Sequence, residues 1–304
     1  MKKTMPELPE VETVARGLQR QIAGRRILSI TLGKTDFIDN PEDIEKELPG
    51  RTIGSVVRYG KFLLLRLTAK EDAEETDRES ALLVHLGMTG MLRPQPASEP
   101  HAKHTHVVAL LDDGRELRYT DPRRFGRMAY FAGESLREEL RRFGADPLEA
   151  GLDEFTAKIR GKRARIKALL LDQSVLRGVG NIYADESLWK ARIHPKRLGA
   201  QLRKEQVKEL SRALQGILER AIVMRGSSIA DFLDAEGQPG EYQRHHRAYG
   251  REGKPCFRCK TRIKRVMVAG RSSYFCPQCQ KSPRGGRRHG RETRKPVKGR
   301  LKKR

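Results

Sequence analysis

Apolar positions recur along this chain with two different periods, and the switch between them divides it. Val11, Val14, Ala15, Leu18 and Ile22 fall three and four apart, the spacing of an amphipathic helix that ends near Gly24. Such a helix buries its stripe against a sheet. From residue 27 to about 131 the pattern is that of strands, over 27–32, 52–67, 81–92, 106–111, 116–119 and 127–131. Asp113-Gly114 marks a hairpin turn between two of them. Strands at this spacing predict a β-sandwich or barrel. The acidic run over 71–79 reads as a loop inserted between strands.

Beyond about residue 134 the period becomes 3.6, predicting helices over 134–143, 153–159, 163–171, 184–191 and 203–224. In the last, Val207, Leu210, Leu214, Ile217, Leu218, Ala221 and Ile222 form one apolar stripe, which is the pattern of a core contact. The expected architecture is α+β and multidomain. A β-sandwich with a leading helix occupies 6–134, a helical domain 135–246, a small cysteine-bearing module 247–281 and a basic tail 282–304.

Charge narrows the partner. The 304 residues carry a formal net charge of +24 and a pI of about 10.2, which points to a polyanion, most often nucleic acid. No stretch approaches the roughly 18 apolar residues of a membrane span, so no membrane partner is expected and an intracellular location is. Residues 281–304 hold twelve basic residues against the single acid Glu292. A tail of this composition cannot build a core; it is either a solvated extension or a nonspecific DNA tether.

The four cysteines are confined to one module. Cys256-x2-Cys259 and Cys276-x2-Cys279, sixteen residues apart, have the spacing of a tetrahedral four-thiolate site for one structural zinc ion. The intervening residues read as a β-hairpin with Arg271 at or near its tip, either an exposed turn arginine or a tip directed at DNA. Three histidines, His101, His104 and His106, lack the nearby acid or cysteine that would complete a second metal set.

The opening peptide Met5-Pro6-Glu7-Leu8-Pro9-Glu10-Val11-Glu12-Thr13 holds the candidate chemistry. Were Pro6 terminal, its α-amine would titrate near roughly 8 and be partly unprotonated at neutral pH. A secondary amine attacking a sugar carbon gives an iminium that is an electron sink. Glu7 would be the adjacent acid or base. The same residues also suit a plain helix start, with Pro9 and Glu10 in its first turn. In this chain Met1-Lys2-Lys3-Thr4-Met5 precedes Pro6, and an amide nitrogen is no nucleophile. The expected active form therefore begins at Pro6, Met5-Pro6 being a suitable junction for methionine removal. Three further peptides are harder to assign. Gly178-Val179-Gly180-Asn181 precedes a helix and could hold a phosphate. Asp121-Pro122-Arg123-Arg124-Phe125-Gly126 suits either a wedge into a base stack or an ordinary loop. His85-Leu86-Gly87-Met88 is either a wedge turn or a strand end.

Taken in order, these peptides resemble bacterial formamidopyrimidine-DNA glycosylase. The motifs are PELPEVET from Pro6, YGKFLLL around Lys61, HLGMTG from His85, TDPRRFG from Thr120, GVGNIYADE from Gly178 and the four-cysteine finger. The resemblance runs from Pro6 to about Lys281. It implies an N-terminal sandwich, a helix-two-turns-helix domain ending in a zinc hairpin, and damaged double-stranded DNA bound in the cleft by a cytoplasmic, nucleoid-associated monomer. It implies Pro6 as the nucleophile at C1′, Glu7 as the proton donor, Lys61 in β-elimination and Arg271 in δ-elimination. It also implies Met88, Arg123 and Phe125 as a void-filling wedge, and His104, Arg124, Asn181 and Lys162 or Arg163 as DNA contacts, with Glu186 a buried anchor. Oxidised purines are the expected substrates. Related endonuclease VIII-type enzymes act on oxidised pyrimidines and usually lack this arginine–phenylalanine pattern, and a noncatalytic DNA-binding protein would follow if Pro6 stayed blocked.

Overall fold

The computed structural model describes residues 5–68, 79–228 and 232–282. The acidic run apart from Glu79, and the basic tail from residue 283, lie outside the described residues.

Helix α1 (Leu8–Ile22) has Pro9 in its first turn and buries Val11, Val14, Leu18 and Ile22 along one face. That face packs on an antiparallel sandwich, as the spacing predicts. One sheet has the order β1 (Ile27–Leu32), β6 (Thr105–Leu111), β7 (Arg115–Thr120) and β5 (Met91–Pro96). The other has β2 (Ile53–Tyr59), β3 (Phe62–Leu67), β4 (Ser80–His85) and β8 (Arg127–Ala132). Their inner faces and α1 share one core that includes Val56, Leu63, Leu65, Val84, Leu117, Tyr119 and Met128. Strand β3 is buried on both faces: Leu64 looks outward to Ala81, Leu83 and Leu136, under helix α3 (Gly133–Arg141). This is why Phe62-Leu63-Leu64-Leu65 reads as a continuous apolar run instead of alternating.

The strand pattern needs two corrections. The run over 52–67 is a hairpin, closed by Tyr59 opposite Phe62, which leaves Gly60 and Lys61 as its turn. The run over 81–92 is two strands in different sheets, because the chain crosses the sandwich between His85 and Met91. Apolar residues on both sides of each turn hide the break. Helix α2 (Pro41–Glu47) buries only Ile44, so it offers no stripe to detect. Strand β5 runs on through Pro94 and Pro96, which it tolerates as an edge strand paired only with β7.

The helical part comprises α4 (Leu152–Ile159), α5 (Ile166–Leu171), α6 (Asn181–Lys190) and α7 (Lys204–Val223) around a second core. Helix α5 starts later than its apolar pattern predicts and α6 earlier, at Asn181. Leu8, from the first turn of α1, belongs to this second core. The cysteine module adds a hairpin of β9 (Lys264–Val268) and β10 (Arg271–Phe275), and Trp189 of α6 packs into it. Among the described residues no helix is long and apolar enough to cross a membrane.

Because Leu18 is fully buried between α1 and the sheets, Leu18→Ala is expected to cost roughly 2–5 kcal/mol in urea denaturation. Leu28→Ala, at a position 46% exposed on β1, should stay within about 0.5 kcal/mol.

Candidate active site

The start of α1 is wedged into the start of α6. The Glu7 N–H donates to Glu10 Oε2 at 2.9 Å, which fixes the first turn of α1. The Glu7 carboxylate turns the other way and accepts from the N–H groups of Ile182 (2.9 Å) and Tyr183 (3.3 Å) at the N-terminus of α6. Backbone amides there have no intrahelical partner, so an anion satisfies them. The approach is too close for side chains. A Cβ at Gly180 would lie 2.2 Å from Glu7 Cδ, and one at Gly178 would lie 2.9 Å from Leu8 Cβ. These glycines therefore admit α1 of the same chain, and the amides of 182 and 183 serve Glu7, leaving the Asn181 side chain as the remaining candidate for a phosphate at this helix start.

Glu10 is equally engaged. It accepts from the Tyr183 hydroxyl (2.5 Å) and the Ser227 N–H (2.6 Å) as well as from Glu7. Burial and the nearby Glu7 charge push its carboxyl up to about 7.

Pro6 is buried beside Glu7 with its nitrogen in the peptide bond to Met5. Met5, Glu7, Lys61, Met88, Asn181 and Arg271 line one cavity of about 300 Å3. Lys61 reaches it from the β2–β3 turn and Arg271 from the first residue of β10, directly after the hairpin turn and opposite Val268. Burial raises the Glu7 carboxyl above its ordinary range, with Lys61 opposing. Burial also lowers the Lys61 ammonium, with Glu7 opposing and Arg271 assisting. The two groups are thus brought closer in proton affinity, which suits proton transfer between them. His85, pushed down to about 4 by burial and by Lys61, is neutral there. Asn181 Oδ1 is buried without a hydrogen-bond partner.

Beside the cavity, Met88, Arg123 and Phe125 come together. The Arg123 guanidinium lies 4.4 Å from the Phe125 ring centroid, and its Nη1 is 3.9 Å from Met88 Sδ. Phe125 is 52% exposed. The loops that carry them, 86–90 and 121–126, are two of the three crossings between the sheets, β4 to β5 and β7 to β8. Asp121, which sequence reasoning left without a role, ties them together. Its carboxylate accepts from Thr89 Oγ1 (2.5 Å), the Tyr119 hydroxyl (3.2 Å), Arg123 N–H (3.1 Å) and Gly126 N–H (3.0 Å). An aspartate before a proline is the sequence signal for such a turn.

The other expected contacts are more scattered. Arg124 Nε donates to Asp36 Oδ2 at 2.9 Å, so in this state it is paired within the protein. His104 adopts a left-handed backbone, φ 72°, and its carbonyl accepts from Asp121 N–H. Lys162 and Arg163 are exposed between α4 and α5 and take no part in the cavity.

The four cysteine Sγ atoms lie within 4.8 Å of one another, and none of the four is in a disulfide. They fit a closed four-thiolate zinc site, and among the described residues they are the one such group. Bound zinc would cross-link the two knuckles. The hairpin is held on α6 by a buried ion pair. Lys167 Nζ donates to Asp185 Oδ1 (2.6 Å) and to the Ser272 carbonyl (3.0 Å), while Asp185 Oδ2 accepts from Tyr274 N–H (2.9 Å). Glu186, next in sequence, accepts from the N–H groups of Arg247, Ala248 and Tyr249 leading into the finger. Lys167 and Asp185 were missed in sequence, although a lysine inside Ile166-Lys167-Ala168-Leu169-Leu170 was the available signal.

Asp185→Ala would strand Lys167 as an unpaired buried cation, and is expected to cost about 3–5 kcal/mol in urea denaturation. A loss below about 1 kcal/mol, the scale of exposed pairs, would show that this pair does not hold the finger.

Comparison with known proteins gives a consistent result along the chain. A family model for the formamidopyrimidine-DNA glycosylase N-terminal domain matches residues 5–128, one for the H2TH domain of the same proteins matches 143–232, and one for a zinc finger found in FPG and IleRS matches 253–281. The formamidopyrimidine-DNA glycosylase of Herpetosiphon aurantiacus is 44% identical over 281 residues, covering 91% of this chain and 100% of the relative. Among solved structures, a Lactococcus lactis FPG variant in complex with DNA containing Fapy-dG is similar at TM-score 0.81 and 34% identity, covering 91% of this chain and 100% of that one. A complex of the Lactococcus lactis enzyme with DNA containing an abasic site is similar at TM-score 0.80, with the same identity and coverage. The chain belongs to the formamidopyrimidine-DNA glycosylase family, the DNA glycosylases of base-excision repair.

Proposed function

We propose that this protein acts as a monomer on damaged duplex DNA as a bifunctional glycosylase and abasic-site lyase, removing 8-oxoguanine and formamidopyrimidines. The observation that carries the reading is the burial of Glu7 beside the Pro6 nitrogen, in a cavity shared with Lys61 and Arg271. The relatives bound to Fapy-dG and abasic-site DNA support the substrate class.

The residues divide the reaction as follows. Once the chain begins at Pro6, its amine attacks C1′; the N–C1′ bond forms, the base departs with its bonding electrons and takes up a proton, and the sugar ring opens. Glu7, whose carboxyl burial raises above its ordinary range, supplies the proton to the sugar oxygen. The iminium then accepts the electrons released when a C2′ proton is removed, and the C3′–O bond breaks. Lys61, whose ammonium is weakened by burial, handles that proton. Arg271 assists the second elimination, at C5′, and water returns the amine. Met88, Arg123 and Phe125 fill the space left by the flipped nucleotide, while Asn181, Arg124, His104 and one of Lys162 and Arg163 hold phosphates. Arg124 must exchange Asp36 for a phosphate to do so. Cys256, Cys259, Cys276 and Cys279 would hold one zinc ion, which would fix the hairpin that carries Arg271.

A protein starting at Pro6 should be trapped covalently by borohydride on duplexes with 8-oxoguanine opposite cytosine, and a form forced to retain residues 1–5 should not. Equal trapping of the two forms would remove Pro6 as nucleophile; faster action on an oxidised pyrimidine would overturn the purine assignment. Lys61→Ala should retain more base removal than abasic-site cleavage. Because the Lys61 charge lowers the Glu7 carboxyl, its removal should let Glu7 keep its proton to higher pH and move the alkaline limb of the base-removal profile upward. A limb that moves down or stays put would count against Glu7 as the acid.

A further inference from the structure

Helix α6 borders a second cavity on the side turned away from the first. Asn181, which lines the cavity with Glu7, and Lys190, which lines the other, are nine residues apart, about two and a half turns, and so project from opposite faces of the helix. No residue lines both cavities. The second, of about 230 Å3, lies between α6, α7 and the strap over 242–247 that leads to the finger.

Cations converge on it. Lys190 leans across to α7, where an added Cβ at Gly216 would lie 3.6 Å from its Nζ. Arg220 comes from α7 itself, and its Nη2 donates to His245 Nδ1 at 3.3 Å. Arg247 comes from the strap, its guanidinium 4.2 Å from the Phe257 ring centroid. Arg258 closes the end of α6 by donating to the carbonyls of Trp189 (2.7 Å) and Lys190 (2.9 Å). The one acid in the lining is Glu186, and its carboxylate is already taken by the N–H groups of Arg247, Ala248 and Tyr249. Among the described residues none of the four cations forms an ion pair, whereas Arg137, Arg141 and Arg142 around α3 all sit against carboxylates.

Tyr242 adds a donor. It is only 4% exposed, yet its hydroxyl makes no hydrogen bond among the described residues. Burial and then the Glu186 charge push that hydroxyl up, with Arg220 and Arg247 opposing, so it points in among the charges that line the cavity. Buried hydroxyls are as a rule hydrogen-bonded.

We propose that this cavity is a phosphate-binding site, in which Lys190, Arg220 and Arg247 neutralise the group and the Tyr242 hydroxyl donates to one of its oxygens. A group with several acceptor oxygens answers both the surplus charge and the unpartnered donor, and a guanidinium matches it with paired N–H groups. The space is smaller than the roughly 300–1,000 Å3 of pockets for drug-sized ligands, so it takes a phosphate and leaves any attached sugar or base outside. The phosphate belongs either to a small free compound or to a nucleic-acid strand passing over the cavity. Because the site faces away from the first cavity, it depends neither on a free Pro6 nor on the catalytic reading above.

The test titrates the zinc-loaded full chain with inorganic phosphate at low salt and follows binding by phosphorus NMR. A saturable component is expected. Lys190→Gln and Arg220→Gln, both at exposed positions, should each weaken it by on the order of tenfold or more, since each removes charge-assisted hydrogen bonds. Tyr242→Phe should weaken it by a smaller factor. Lys208→Gln and Arg212→Gln remove the same charge from exposed positions of α7 outside the cavity and should leave it unchanged. Equal weakening by the two pairs of variants would show general attraction to a basic protein and overturn the proposal, as would the lack of any saturable binding. A short single-stranded oligonucleotide that displaces phosphate from the Lys190-dependent component would identify a strand phosphate as the occupant, and one that does not would identify a free phosphate compound; both results uphold the site.

Discussion

The fold and the chemistry of this protein meet in one contact, the Glu7 carboxylate on the free amides of α6. Burying a carboxylate costs several kcal/mol even after relaxation. Two amide hydrogen bonds, the helix dipole and the Lys61 charge offset part of that cost; the dipole alone contributes only about 0.3–1 kcal/mol in ordinary settings. The raised proton affinity of Glu7 shows that desolvation wins. The acid held in this balance lies beside the Pro6 nitrogen, the nucleophile proposed above. The same contact joins the two large domains. Leu8 donates its N–H to the Gly178 carbonyl and places its side chain in the helical core, and Glu10 bonds Tyr183 and Ser227. Catalytic geometry and domain arrangement are consequently fixed by the same few atoms.

Helix α6 extends that constraint to the finger. At ten residues it is about 15 Å long. Its start holds Glu7 and presents Asn181 to the cavity. One turn later Asp185 and Glu186 point to opposite neighbours, the former to β10 and the latter to the strap entering the finger. Near its end Trp189 donates to Cys256 Sγ and accepts, through its carbonyl, from Arg258. Arg271 therefore reaches the cavity through a chain of buried polar contacts that begins at Glu7. The desolvation that lowers Lys61 and raises Glu7 belongs to the same packed region, so loosening the finger would also relax those shifts.

The cluster of Met88, Arg123 and Phe125 has a different origin. Met88 and the Arg123–Phe125 pair sit on two loops that are distant in sequence and meet because both strands preceding them end at the same edge of the sandwich. Asp121 makes the pair rigid by satisfying donors from both loops. For the wedge role proposed above, an exposed Phe125 on a loop of this stiffness avoids the ordering cost of a flexible loop.

The sequence by itself determined the elements whose signal is local. The stripe from Val11 to Ile22, the stripe along α7, the turn at Asp113-Gly114 and the paired Cys-x2-Cys knuckles are all legible, because periodicity, turn chemistry and ligand spacing act over a few residues. The ordered motifs likewise carried Pro6, Glu7, Lys61 and Arg271 to one family. What the sequence left undecided depends on who meets whom across long separations. Gly178 and Gly180 suggested a phosphate, and only the packed structure shows that their missing side chains make room for Leu8 and Glu7. The Lys167–Asp185 pair and the four donors on Asp121 were equally hidden. A buried polar residue takes its meaning from partners on other elements, and no pattern along the chain encodes that meeting.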